Sequence, residues 1–145
     1  MWRDAAVMLA AGMGVPLLAA LNAQLGVRIG SPAVAACLLF VVGLAVCTGV
    51  ALLTAGGGPL ARLVSQPPFF LLGGVLMAFY LLSITWVAPR FGLGNAILCV
   101  LMGQMLSAAA IDHWGLLSGL PRPVSALRAT GLLVMAAGLT LSLRG

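Results

Sequence analysis

The side chains with which this chain could do chemistry are few and widely spaced. Gln104 and Asp112 lie eight residues apart, which at about 100° per residue puts them on nearly one face of a helix, with Ser107 on that face too. An amide, a hydroxyl and an acid on one stripe suit a polar pathway; alternatively Asp112, followed by His113, sits at a helix end and pairs with Arg122 or a loop amide. Tyr80 and Ser83, three residues apart and followed by Thr85 and Trp86, offer a second, aromatic and hydroxyl surface. Trp86 reads as an interfacial belt residue, whereas Tyr80, nearer the middle of its apolar run, needs a partner for its hydroxyl. Two turns after Pro16 come Asn22 and Gln24. Pro16 removes a helical hydrogen bond and frees a carbonyl around Gly12, so this stretch reads either as a broken helix that binds a solute or as a packing kink with both amides at the interface.

Bond-breaking chemistry is poorly served. His113 directly follows Asp112, and adjacent helix positions point about 100° apart, so Ser, Cys and His do not assemble into a hydrolytic arrangement. No charged residue or His lies near the middle of any apolar run, which removes the central carboxylate that a proton-exchange mechanism uses. Cys37, Cys47 and Cys99 lack CxxC spacing and neighbouring His, and read as small core residues. Neither an enzyme nor a bound metal or cofactor is expected.

The elements that must position the candidate groups follow from composition. Of 145 residues, 63% are hydrophobic and 6% charged, so most of the chain must be solvated by lipid or by itself. A bilayer core about 30 Å thick needs roughly 20 apolar residues per helical span. Five windows qualify: Ala5 to Leu25, Pro32 to Leu53, Pro68 to Ala88, Gly92 to His113, and Leu127 to Leu143. The period-two alternation of a membrane barrel is absent from runs such as Val34 to Leu53. The breaks are Gly26 to Ser31, Thr54 to Pro67, Pro89 to Phe91 and Trp114 to Ser125, all too short for a second domain. The expected fold is therefore all-α and integral to the membrane, a single five-helix domain over residues 1–145, with the third and fourth spans antiparallel neighbours across Pro89 to Phe91. Arg3 before an apolar stretch, then Leu21-Asn22-Ala23, loosely imitates a signal peptide, but with four further spans a retained first helix is the simpler account.

The seven arginines are scattered singly near span ends, which fits snorkelling and orientation and not nucleic acid. Five spans put Arg3, Arg62, Arg122 and Arg128 on one side and Arg28, Arg90 and Arg144 on the other. Orientation is then barely specified, and a chain that inserts both ways could form an antiparallel homodimer, a ten-helix inverted-repeat assembly. Small residues at interhelical spacing, namely Gly73 and Gly74, Gly103 with Ser107, and Gly131 with Gly138, would permit close helix packing or dimer contacts.

The order of these residues resembles the half-length bacterial YdcZ-type proteins of the drug/metabolite transporter superfamily, end to end. The most specific parts are Gly14-Val15-Pro16 through Leu21-Asn22-Ala23-Gln24-Leu25-Gly26, then Gly30-Ser31-Pro32, Gly43, and Leu72-Gly73-Gly74 with Ala78-Phe79-Tyr80. They continue with Ala88-Pro89-Arg90-Phe91-Gly92, Gly103-Gln104-Met105-Leu106-Ser107, Asp112-His113-Trp114-Gly115-Leu116, Gly131 and Gly138. Family members usually carry Gln where this chain has Leu18 and Gly where it has Met77. If the Leu18 position lines the pathway, this protein has a more apolar site.

The resemblance implies a five-helix protomer similar to half of a ten-helix metabolite exporter in the bacterial inner membrane. The expectation is a transporter of a small neutral or amphipathic solute, working as an antiparallel dimer or with a related five-helix partner, by alternating access. Asn22, Tyr80, Ser83, Gln104 and Ser107 would face the solute, Pro16 would flex, and Asp112 would gate or anchor at the membrane edge. The rival is a non-transporting scaffold or lipid-contact subunit, in which the small-residue faces only assemble helices.

Overall fold

In the computed structural model, which describes residues 2–55, 58–63, 65–116 and 121–144, the chain is helical throughout its regular structure. The elements are α1 (Trp2–Ile29), α2 (Pro32–Thr54), a six-residue α3 (Gly58–Leu63), a 3-10 turn (Pro68–Leu71) leading into α4 (Leu72–Phe91), α5 (Leu93–Trp114) and α6 (Ala126–Ser142). Among the described residues, four segments are long and apolar enough to cross a membrane: α1, α2, the 3-10 turn with α4, and α5. At 17 residues, α6 is about 26 Å long, near the lower limit for a span, and would need local thinning or snorkelling to cross.

The boundaries differ from the sequence expectation in instructive places. Helix α1 runs unbroken through Pro16, so the stretch before Asn22 is not a broken helix. A proline costs its helix one N–H, and in a membrane the remaining ladder outweighs that loss. Pro89 likewise does not end α4, which continues to Phe91; the stop is Gly92, with φ of 88°. The expected break from Thr54 to Pro67 contains α3, with Arg62 in its last turn. The start of α2 follows its sequence signals: Ser31 caps it, Oγ accepting from the Val34 N–H at 3.3 Å, and Pro32 fills the first turn.

The chain divides into two units, Met1–Arg90 and Phe91–Gly145. In the first, α1 buries Ala19, Asn22, Ala23 and Gly26, and α4 buries Leu81, Ile84, Thr85 and Ala88. Both rows have the spacing i, i+3, i+4, i+7 that places residues on one helix face. Ala35 and Ala36 of α2 are buried as well. Small residues bring the backbones close: a Cβ added at Gly26 would stand 3.2 Å from Pro32 Cα and 3.2 Å from Thr85 Cγ2. In the second unit α5 packs with α6, and the buried α5 residues are Ala96 and Ala109.

The glycines singled out by spacing behave differently from Gly26. A Cβ added at Gly73, Gly74, Gly103, Gly131 or Gly138 meets nothing within 4 Å. The close approach to a neighbouring backbone falls at Gly26, and the buried small residues of the first unit are Ala19, Ala23, Ala35 and Ala36.

Candidate functional site

Asn22 is the most deeply buried polar side chain among the sequence candidates, 4% exposed. Its partner is Thr85, 1% exposed and 63 residues away: Asn22 Nδ2 donates to Thr85 Oγ1 at 2.6 Å, and Thr85 Oγ1 donates to the Leu81 carbonyl at 2.6 Å. A Thr side chain in a helix interior returns its hydroxyl proton to the carbonyl four residues earlier, leaving the oxygen free to accept from a neighbouring helix. The result is a polar tie inside an otherwise apolar seam. Sequence reasoning named Thr85 only in passing; the signal that finds it is its place in the row Leu81, Ile84, Thr85, Ala88, whose spacing matches that of the row on α1.

Beside this tie lies an open groove of about 270 Å³, lined by Leu18, Leu21, Asn22 and Leu25 of α1 and Leu38, Leu39 and Val42 of α2. Leu18, at the position where the family resemblance leads one to expect Gln, is part of this wall, so the groove is more apolar than a Gln would make it. Gln24 and Pro16 do not line it; Gln24 is exposed and Pro16 half-buried.

Tyr80 and Ser83 are half-buried one turn apart on α4. The Tyr80 hydroxyl is sealed from solvent and finds no hydrogen-bond partner among the described residues, an unmet donor that costs free energy wherever water cannot reach it. Trp86 is exposed, and the Arg90 guanidinium stacks 3.6 Å above its ring, a cation–π pair suited to a headgroup boundary. Gln104 and Ser107 lie on α5 in the second unit, both exposed, with no hydrogen bond to a described residue.

Asp112 makes its ion pair with Arg128, not Arg122: Arg128 NH1 stands 2.8 Å from Asp112 Oδ2, both side chains a little over two-fifths exposed (42% and 43%). Arg122 contributes its backbone, donating N–H to the Asp112 carbonyl at 2.7 Å, while the Val124 N–H donates to His113 Nδ1 at 3.2 Å. Gly115, at φ 61°, closes α5 in the left-handed conformation that only glycine adopts freely. Ser125 caps α6, accepting from the Arg128 N–H at 3.2 Å. The end of α5 thus holds the returning strand of loop and the start of α6, which makes Asp112 an anchor within its unit.

The family model described as "Putative inner membrane exporter, YdcZ" matches residues 5–141. No curated protein and no solved structure matches the chain. With four helices of spanning length, the match makes this a multi-pass protein of the inner membrane, of a transporter family and not an enzyme family.

Proposed function

We propose that this chain, which belongs to the YdcZ family of inner membrane exporters, works as an antiparallel dimer that moves a small neutral or amphipathic metabolite outward by alternating access, in the manner of drug/metabolite transporters. The observation that carries this reading is the Asn22 amide, a polar group buried in a spanning helix yet lining a groove. Polar groups in lipid are retained where they meet a partner or a pathway; Asn22 has a partner in Thr85 and lines a groove. Tyr80 supports the reading as a polar group in a spanning segment whose hydroxyl has no partner among the described residues, and Gln104 and Ser107 as exposed polar groups on a helix of spanning length. In this reading Ser83 joins Tyr80 along the solute path, Pro16 lets α1 flex, and the dimer, whether with a second copy or a related five-helix chain, covers the glycine faces of α5 and α6.

The absence of acid or base near the middle of a span favours an uncharged solute, because no countercharge would offset the lost hydration of an ion. Metabolites in the medium of cells overproducing the chain give the test, with the Asn22→Ala/Gln104→Ala double variant as control. Export predicts one or more neutral or amphipathic compounds enriched outside only with the unaltered chain; indistinguishable media would sink it. Reporter fusions at the C terminus address the dimer: both orientations should be populated, and a single clean orientation removes the antiparallel homodimer.

A further inference from the structure

The Thr85 hydroxyl decides which way the Asn22 amide faces. Thr85 Oγ1 lies 2.6 Å from the Leu81 carbonyl and 2.6 Å from Asn22 Nδ2. A carbonyl only accepts, so the single hydroxyl proton of Thr85 is committed to Leu81, and toward Asn22 the oxygen has only lone pairs to offer. The amide must therefore give its NH2 group to Thr85, and its carbonyl oxygen is turned away from the tie. That oxygen accepts no hydrogen bond from a described residue. It is not sealed either, since the Tyr80 hydroxyl is the only buried, unpartnered side-chain polar atom among the described residues. The opening that Asn22 lines is the α1/α2 groove, whose six other lining residues are all Leu or Val.

We infer that this groove is a binding site for a small, uncharged, largely apolar molecule carrying one hydrogen-bond donor, an alcohol being the simplest case, with the donor on Asn22 Oδ1. Each alternative ligand chemistry fails on the same residues. An anion meets the negative end of a carbonyl dipole. A cation loses its hydration with no countercharge in the lining. A pure hydrocarbon fills the walls but leaves the acceptor unpaired in an apolar setting. At about 270 Å³ the groove falls just below the roughly 300–1,000 Å³ of drug-sized sites, room for a small ring or short chain. The inference gives the exported solute its chemical class and rests on the export reading for its physiological role, though not for the binding itself.

The probes are cyclohexanol and methylcyclohexane, similar in size and shape and differing by a hydroxyl. Isotope-labelled full-length chain in detergent micelles is titrated with each, following the Asn22 side-chain amide and the Leu18 and Val42 methyl resonances by NMR, with the exposed Leu44 as a control for partition into the micelle. The expected result is saturable shifts at the groove residues and a preference for cyclohexanol of about threefold to tenfold, the net effect of one hydrogen bond. Asn22→Leu should abolish that preference. Because this change also strips Thr85 of its partner, Val42→Trp serves as a second variant: it fills the groove from the α2 wall, away from the tie, and should abolish saturable binding of both probes. Equal affinity for the two probes would mark a groove for acyl chains only and overturn the inference. So would shifts that never saturate, or a cyclohexanol preference that survives Asn22→Leu. Binding without export from overproducing cells would sink the export reading and leave the site standing; export by a chain that shows no saturable binding of either probe would do the reverse.

Discussion

The seam between α1 and α4 and the pair α5/α6 solve the same problem by different means. In the first, each helix buries a row of identical spacing, Ala19, Asn22, Ala23 and Gly26 on α1 and Leu81, Ile84, Thr85 and Ala88 on α4, and Asn22 and Gly26 both meet Thr85, the former through a hydrogen bond. In the second, the polar contacts gather at the loop end, where Asp112 holds Arg128 and the Arg122 backbone, and the buried residues on the long helix are two alanines. Lipid tails are as apolar as Leu, so nothing analogous to the hydrophobic effect drives membrane helices together, and association depends on close fit and on hydrogen bonds. Small residues make a close fit possible without producing it. Gly26 meets its neighbours at 3.2 Å, whereas Gly103, Gly131 and Gly138 meet nothing within 4 Å.

The contrast breaks most visibly at Gly26. Replacing it by Leu forces a side chain against the Pro32 backbone and the Thr85 methyl, and should cost about 3 kcal/mol or more, or prevent accumulation of the folded chain, as measured by denaturant unfolding in detergent. A loss under about 0.5 kcal/mol would mean the seam is not tightly packed. Next comes the tie: a double-mutant cycle of Asn22→Ala and Thr85→Ala should return a coupling of about 0.6–1.7 kcal/mol, the range of hydrogen bonds between membrane helices. Additive effects would show the two side chains to be independent. The Asp112–Arg128 pair, more than two-fifths exposed, should be worth less than about 1 kcal/mol in the same unfolding measurement on Asp112→Asn and Arg128→Gln, and its contribution should shrink as salt rises. The smallest effect belongs to Gly103→Leu, which should change the stability of the chain by no more than about 0.5 kcal/mol while abolishing export if α5 meets a partner there. A cost equal to that of Gly26→Leu would erase the difference between the two regions.

Much of the helical plan was legible because apolar run length is a local property. The windows from Pro32 to Leu53 and Gly92 to His113 fall within a residue of α2 and α5. Pro89 misled where it was read as a break, and Pro16, read inside the first span as either a break or a kink, also sits within a continuous helix, since each removes a single bond from a long ladder. For the candidate site the record is uneven. Asn22 stood out as a polar residue in an apolar run, but nothing local pairs it with Thr85, and Leu18 gained meaning only as part of the groove wall. Asp112 had several possible partners within reach along the chain, and the N-capped start of α6 put Arg128 in place ahead of Arg122.

The sequence by itself determined that hydrocarbon is the solvent of this protein and that helices are its form, because both follow from how many consecutive residues have nothing to offer water and from the need to satisfy every backbone group within its own segment. Only the tertiary structure decided which small residues touch, which way the Asn22 amide faces, and where an unpaired acceptor opens beside an apolar wall. Those depend on the register between helices far apart in the chain, a matter of shape complementarity that local pattern does not encode.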